Sequence, residues 1–167
     1  MKLQDFTESL IRHQTVTGNT EEIENALQEI RQKFGKGFRI EELSKEGVKS
    51  LLIYPEGTEN FKVLLHGHID VVNAQEGLFK PKKREGKIYG RGSADMKAGV
   101  ACIVKLMQKC SYEGMGLLIT SDEEKGGFKG AGYAVKEKDL RPELVISAEP
   151  DDSGDFPSLV NRQKGVL

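Results

Sequence analysis

Apolar patterns typical of buried strands alternate along this chain with patterns typical of amphipathic helices. A helix repeats its apolar residues every three or four positions, whereas a strand shows alternation or a short continuous apolar run. On this basis we predict helices near residues 3–11, 20–34 (with Thr20 as its cap), 96–110 and 128–135. We predict strands near residues 38–43, 48–54, 61–65, 116–120 and 144–147. Such alternation favours an α/β fold, here a three-layer αβα sandwich whose mixed sheet is largely parallel.

The length of the chain limits how many such units it can form. With 167 residues it has room for one domain. A chain of this size buries roughly 68–70% of the surface that its unfolded form exposes. No internal repeat or low-complexity linker divides the sequence. We therefore expect residues 1–167 to form a single domain whose hydrophobic core needs no disulfide.

The composition argues against several classes of partner. The 25 basic and 26 acidic residues are interspersed and give a net charge of -1, so neither a nucleic-acid-binding face nor a polybasic membrane-binding run is present. The N-terminal segment has the pattern of an amphipathic helix rather than of a signal peptide. Cys102 and Cys110 lie about 12 Å apart on one predicted helix, too far to form a disulfide. We expect a cytoplasmic protein in a reducing compartment that binds neither nucleic acid nor membranes.

Acidic side chains and one histidine follow the predicted strands at their carboxyl ends or precede the helix at 96–110. These residues are His68, Asp70, Asp95, Glu123, Glu124 and Glu149. In open α/β sheets the functional groups collect at this edge. We therefore expect four separate segments of the chain to bring these side chains close together.

Clustered carboxylates need a cation. Carboxylates within about 4–6 Å of one another repel, so some would bind protons unless positive charge neutralises them. One imidazole with several carboxylates suits zinc, and also cobalt or manganese. Two ions held about 3.5–4 Å apart need a bridging carboxylate, for which Asp95 is well placed. A ligating imidazole usually donates its second N–H to a carboxylate, as His68 would to Asp70.

Each part of this pattern taken alone also has a structural explanation. A single histidine after a strand is more often a hydrogen-bonded structural residue than a ligand, and Asp122-Glu123-Glu124 is equally typical of a solvated acidic turn. Gly90 and Gly92 lack the third glycine of a dinucleotide-binding loop. We expect His66 to point to the opposite face of the strand from His68 and to have a packing role. The combination, rather than any single residue, favours a metal site.

Four motifs resemble those of the M20 metallopeptidases, the family of acetylornithine deacetylase, succinyl-diaminopimelate desuccinylase and glutamate carboxypeptidase. They are HGHIDVV at 66–72, GRGSADMKAG at 90–99, TSDEEKG at 120–126 and AEP at 148–150. Their order and intervals match that family over essentially the whole chain. The resemblance implies a zinc-exopeptidase-like αβα fold and a metal-dependent amide hydrolase, either a deacylase or an exopeptidase.

The resemblance also implies a role for each motif residue. Asp70 would orient the first ligand, and Glu123 would be the general base that takes a proton from the attacking water. Asp95 would bridge two zinc ions. The full set of implied metal ligands is His68, Asp95, Glu124 and Glu149. The substrates would be small N-acyl amino acids or peptides.

The sequence departs from the family pattern in its histidines. The chain holds only His13, His66 and His68, whereas family members take a last metal ligand and a carbonyl-stabilising histidine from later segments. We therefore expect a truncated catalytic domain without its lid and C-terminal segment, with one zinc and weak or no activity. The alternative is a non-catalytic metal-binding remnant or interaction module. We expect a monomer, or a dimer through an edge strand at Ser158–Val160.

Overall fold

The structure is a computed structural model that describes residues 1–150. Its helices are α1 (Leu3–Arg12), α2 (Thr20–Arg31), α3 (Ala98–Cys110) and α4 (Ala131–Lys136). Its strands are β1 (Phe38–Lys45), β2 (Val48–Pro55), β3 (Val63–His68), β4 (Lys82–Arg84), β5 (Lys87–Tyr89), β6 (Met115–Thr120) and β7 (Leu144–Ser147). The predicted alternation of helices and strands is confirmed. The predicted edge strand at Ser158–Val160 lies outside the described residues.

Five strands form one mixed sheet in the order β1-β2-β6-β3-β7. Strand β3 lies between β6 and β7 and runs parallel to both. Strand β2 runs antiparallel to β1 and to β6. The parallel half of the sheet therefore brings the carboxyl ends of three strands to one edge, where sequence analysis places the candidate site.

Helices cover both faces of this sheet, which confirms the three-layer architecture. Successive residues of a strand point to opposite faces. On β3, Leu65 packs in the cluster that contains the apolar sides of α1, α2 and α3. Its neighbour Leu64 packs instead with Ala134 of α4 and with Leu140. The larger part of the core thus lies between the sheet and the first three helices.

The starts of two helices differ in detail from the predictions. Asn19, not Thr20, caps α2, since its side-chain oxygen accepts the backbone N–H of Glu22 at 3.4 Å. Helix α4 begins at Ala131 rather than at Phe128, because Gly130, its N-cap residue, has a ψ angle of -96° that a continuous helix excludes. Phe128 is left 74% exposed.

Two strand features also differ from the predictions. Strand β3 continues to His68, three residues beyond the predicted end, and pairs His68 with Thr120 of β6. The segment at 82–89, where the apolar pattern predicts neither helix nor strand, forms the two-stranded hairpin β4–β5. Its turn residues Glu85 and Gly86 have φ angles of 52° and 73°, which is the geometry of a tight type I′ hairpin turn.

Helix α3 carries both cysteines on its exposed side. Neither Cys102 nor Cys110 forms a disulfide within residues 1–150, as their spacing predicts. None of the helices in the same range is both long enough and apolar enough to cross a membrane.

Replacement of Leu117 by alanine should destabilise the protein by about 2–5 kcal/mol, because the side chain is fully buried on the central strand β6 and its loss leaves a cavity. Urea unfolding of the wild-type and variant chains measures the difference. The matched control is Leu106→Ala on α3, which makes the same chemical change at a side chain that is 43% exposed. Equal losses in the two variants would contradict the assigned core.

Candidate metal centre

Three of the predicted ligands converge at the carboxyl edge of the sheet. The Nε2 atom of His68 lies 3.1 Å from an Asp95 carboxylate oxygen and 3.6 Å from a Glu149 carboxylate oxygen. All three ligand atoms lie within 4.8 Å of one another. His68 is fully buried, whereas the side chains of Asp95 and Glu149 are 51% and 36% exposed. The cluster therefore has a closed side and a side open to solvent.

Each of these ligands is held by a different element. His68 is the last residue of β3, and its backbone N–H lies 3.3 Å from the sulfur of Met96. Asp95 lies in a short turn, Ser93–Lys97, which precedes α3; the backbone of Asp95 and Met96 is not helical, and the peptide bond between them is cis. The fully buried Lys97 ties this turn to α1, since its Nζ donates to the His13 carbonyl at 2.7 Å.

Glu149 reaches the cluster because β7 and α3 approach closely. A Cβ atom on Gly99, near the start of α3, would lie only 2.6 Å from the carbonyl oxygen of Ala148. A side chain at this position would therefore push away the segment that carries Glu149. The GRGSADMKAG motif thus supplies both the ligand Asp95 and the glycine that admits the third ligand.

Asp70 lies behind His68 and holds it in place. The Nδ1 atom of His68 lies 3.0 Å from the Asp70 carbonyl oxygen and 3.3 Å from its carboxylate. This leaves Nε2 directed at Asp95 and Glu149. The fully buried Asp70 carboxylate also accepts the Thr17 hydroxyl at 3.0 Å and the backbone N–H groups of Glu123 and Glu124 at 3.1 and 3.2 Å.

The electrostatics of the cluster reflect its excess of carboxylates. Burial alone would lower the pKa of His68, but the hydrogen bonds and charges of Asp70 and Glu149 raise it to about 11. Burial and the neighbouring Glu149 raise the pKa of Asp95, whereas the hydrogen bond from His68 lowers the pKa of Glu149. Burial raises the pKa of Glu123. The metal-free cluster thus binds protons where a cation would otherwise balance the charge.

The donor set fits a divalent ion. Zinc binds imidazole nitrogen and carboxylate oxygen at about 2.0–2.2 Å, so ligand atoms around a tetrahedral ion lie about 3.4 Å from one another. Two of the ligand separations here, 3.1 and 3.6 Å, bracket that spacing. A neutral imidazole with carboxylates also accommodates cobalt or manganese.

The two glutamates of the TSDEEKG motif, Glu123 and Glu124, lie at different distances from the cluster. A carboxylate oxygen of Glu123 lies 3.8 Å from His68 Nε2, at the rim of the cluster, and its side chain is partly exposed. Glu124 is not part of the three-residue cluster. Its assignment as ligand of a second ion stays a prediction, as does the role of Glu123 as general base.

Sequence analysis did not assign a role to Asp122, which shapes the loop that carries both glutamates. Its buried carboxylate accepts the backbone N–H groups of Lys129 and Gly130 at 2.8 and 3.1 Å. Asp122 is therefore a buried residue that holds this loop in place, rather than part of a solvated turn. An acid two residues after a buried strand and a glycine eight residues later were the only signals of this role.

The expected packing role of His66 agrees with the structure, but the expected face of the strand was wrong. Residues two apart on a strand share a face, so His66 lies on the same face of β3 as His68. Its ring nitrogens lie 3.3 Å from the Thr120 hydroxyl and 3.4 Å from the Ser147 hydroxyl, on the two neighbouring strands. Burial lowers the pKa of His66 to about 4. The neutral ring therefore joins the three parallel strands just below the cluster.

The sequence is similar to one protein family and to several curated proteins. The sequence matches the model of peptidase family M20/M25/M40 over residues 64–158. It is 37% identical over 159 residues to succinyl-diaminopimelate desuccinylase of Nautilia profundicola, covering 90% of this chain and 42% of that protein. It is 40% identical over 124 residues to the Sulfurovum sp. desuccinylase, covering 69% of this chain and 34% of the relative. The chain therefore spans less than half the length of these relatives.

Solved structures share the fold. Human carnosine dipeptidase 1 superposes with a TM-score of 0.66 at 16% identity, covering 87% of this chain and 37% of the other. An M20 family metallo-carboxypeptidase from Sulfolobus solfataricus superposes with a TM-score of 0.66 at 17% identity. The match covers 89% of this chain and 37% of the carboxypeptidase chain. These similarities confirm the predicted exopeptidase-like α/β fold.

Zinc binding should release about one proton per ion, and the apparent affinity should rise about tenfold per pH unit near neutral pH. The reason is that the raised pKa of His68, about 11, keeps its imidazole protonated until the metal displaces the proton. Calorimetric titrations in two buffers of different ionisation enthalpy measure the proton count. His13→Gln, at a histidine outside the cluster, is the control and should behave as wild type. An affinity that does not change with pH would contradict this protonation state.

Replacement of Gly99 by alanine should weaken zinc binding, on the order of tenfold, because the new methyl group displaces the segment that carries Glu149. The fold itself should tolerate the change, since alanine favours a helix over glycine by about 1 kcal/mol. Competition with a chromophoric chelator measures the affinity. Gly35→Ala is the matched control, because a Cβ atom there meets no atom within 4 Å. The same affinity in both variants would contradict the role of Gly99.

Proposed function

The chain belongs to peptidase family M20/M25/M40, and from that premise we propose that it forms the metal-binding part of an amide hydrolase. The reaction would be the cleavage of a small N-acyl amino acid or peptide. The observation that carries this proposal is the convergence of His68, Asp95 and Glu149, with the buried Asp70 fixing the histidine from behind. A family of metallopeptidases implies a divalent ion, and we propose zinc, one ion or two.

Asp70 and Glu123 would have different roles in hydrolysis. A zinc ion bound at this cluster would polarise the amide carbonyl and lower the pKa of water. Asp70 keeps Nε2 of His68 directed at the cluster. Glu123, whose pKa is raised by burial, is suited to accept the proton of the attacking water and to pass it to the departing amine.

A second ion would require Glu124. We propose that Asp95, on the more exposed side of the cluster, bridges two ions and that Glu124 holds the second. Supporting this, the backbone N–H of Glu124 is fixed by Asp70, which places the residue at the same edge of the sheet. With two proposed ligands among residues 1–150, the second ion should bind more weakly than the first.

The sequence relatives narrow the substrate class. The similar curated proteins named above are succinyl-diaminopimelate desuccinylases. We therefore propose that the substrate carries an N-succinyl group on an amino acid. The alternative is a non-catalytic metal-binding or interaction module, because a three-residue ligand cluster can hold an ion without catalysing a reaction.

The proposal also covers the domain organisation, the localisation and the oligomeric state. We propose that residues 1–167 form one catalytic domain that works with a lid and a further segment on another polypeptide or on a longer form of the protein. We also propose a cytoplasmic monomer. Light scattering at two protein concentrations tests the oligomeric state.

The zinc-loaded chain should bind one ion firmly and hydrolyse N-succinyl-diaminopimelate at less than about 1 per second, below the usual enzyme range. Addition of a second polypeptide that carries the remaining part of the Nautilia profundicola relative should raise the rate. Glu123→Gln should then lower the rate by about 10²–10⁴-fold while zinc content stays the same, because only the proton acceptor is lost. Product formation and elemental analysis are the two measurements.

The outcomes separate the alternatives. Zinc bound by the chain with no activity after complementation supports the non-catalytic module. A chain that binds no zinc contradicts the hydrolase and the metal-binding module and leaves only an interaction module. Activity that persists in Glu123→Gln shows that another group is the base.

A further inference from the structure

The loop between α1 and α2 runs beside the end of β3 and is anchored there by several contacts. Val16 pairs with Val71 in a parallel bridge, and the backbone N–H of Thr17 donates to the Val71 carbonyl at 3.2 Å. The Thr15 hydroxyl donates to the Ile69 carbonyl at 2.5 Å. These contacts hold the loop without any contribution from the Thr17 side chain.

The Thr17 side chain points elsewhere. Its hydroxyl donates to a carboxylate oxygen of Asp70 at 3.0 Å. Asp70 is fully buried, and its carboxylate also accepts the backbone N–H groups of Glu123 and Glu124. It lies 3.3 Å from Nδ1 of His68, whose hydrogen bond at 3.0 Å goes to the carbonyl oxygen of Asp70. The Thr17 hydroxyl is therefore one of three hydrogen-bond donors to this carboxylate in the described part of the chain.

The loss of the Thr17 donor has a directional consequence. The Oδ2 atom of Asp70 would then keep only the Glu124 N–H at 3.2 Å, and because an unmet acceptor site on a buried carboxylate costs free energy, the carboxylate would shift toward its remaining partners. Those partners are the imidazole of His68 beside it and the backbone of the loop with the two glutamates. A change at Thr17 is thus transmitted to the ring of His68, although Thr17 itself is not in the ligand cluster.

We infer that Thr17 is a positioning residue of the metal centre: its hydroxyl, acting through Asp70, fixes the orientation of the His68 ring and of the loop that carries Glu123. The inference rests on the proposed metal centre for its effect on metal affinity. Its effect on the His68 ring is a property of the metal-free chain. The loop between α1 and α2 therefore positions a side chain of the metal centre and does more than connect two helices.

Three variants test this inference. Thr17→Val keeps the shape of the side chain and removes the hydroxyl, whereas Thr17→Ser keeps the hydroxyl. Thr15→Val is the matched control, since it removes a hydroxyl from the same loop that is bonded to the Ile69 carbonyl and not to Asp70. The affinity for zinc and the visible spectrum of bound cobalt are measured for each. A third measurement, without metal, is the exchange rate of the His68 Nδ1 proton by NMR.

Thr17→Val should weaken zinc binding on the order of tenfold, the lower end of the range for residues that support a metal ligand. It should also shift the cobalt spectrum and speed exchange of the His68 Nδ1 proton. Thr17→Ser should restore all three, and Thr15→Val should match wild type in each. Equal behaviour of Thr17→Val and Thr15→Val would overturn the inference.

Two further comparisons keep the outcome decisive. In an Asp70→Asn background, Thr17→Val should add no further change to the cobalt spectrum, and an additive change would overturn the inference. If Thr17→Val does not fold, Thr17→Ala is compared with Thr17→Ser in the same way. If the wild-type chain binds no metal, the proposed function fails, and the exchange of the His68 proton alone decides the role of Thr17.

Discussion

The structure around the site depends on one buried carboxylate. An ionised acid inside a protein is very unfavourable unless hydrogen bonds and opposite charge replace the water that it loses. Burial alone would raise the pKa of Asp70, but its bonds from His68, from Thr17 and from the backbone of Glu123 lower it below its usual value. These donors come from three distant parts of the chain. Because each must be in place to compensate the same charge, Asp70 fixes their relative positions.

A proton on His68 and a bound cation would neutralise the same excess of negative charge. Three carboxylates, those of Asp95, Glu123 and Glu149, lie within 4 Å of its Nε2 atom. In the metal-free chain the imidazolium supplies the compensating charge, which explains why a fully buried histidine has a raised pKa. A divalent ion supplies more charge at the same place, so metal and proton compete for one site. The raised pKa is therefore a consequence of a geometry that suits a cation.

The sequence predicts the parts of this structure that depend on local pattern. The alternation of elements indicates the fold class. The rule that functional groups follow strands led to His68 and Glu149, and the position just before the helix at 96–110 led to Asp95. Thr17 and the brace formed by Asp122 were missed because their partners are backbone groups or side chains far away in sequence. The cap of α2 and the start of α4 were misplaced by one and three residues, where a side-chain hydrogen bond and the non-helical backbone of Gly130 override apolar periodicity.

The three ligands of the cluster are not held equally firmly. His68 ends a strand with neighbours on both sides, and Asp95 is tied to α1 through the buried Lys97. Glu149 follows β7, which pairs on one side only within residues 1–150 and whose apolar side chains are about half exposed. Its restraints include the hydrogen bond from the Ala148 N–H to the His66 carbonyl at 3.1 Å and the close approach of Ala148 to Gly99. Since a bound ion stabilises only the arrangement in which all its ligands meet, metal binding would favour the docked position of this segment most of all.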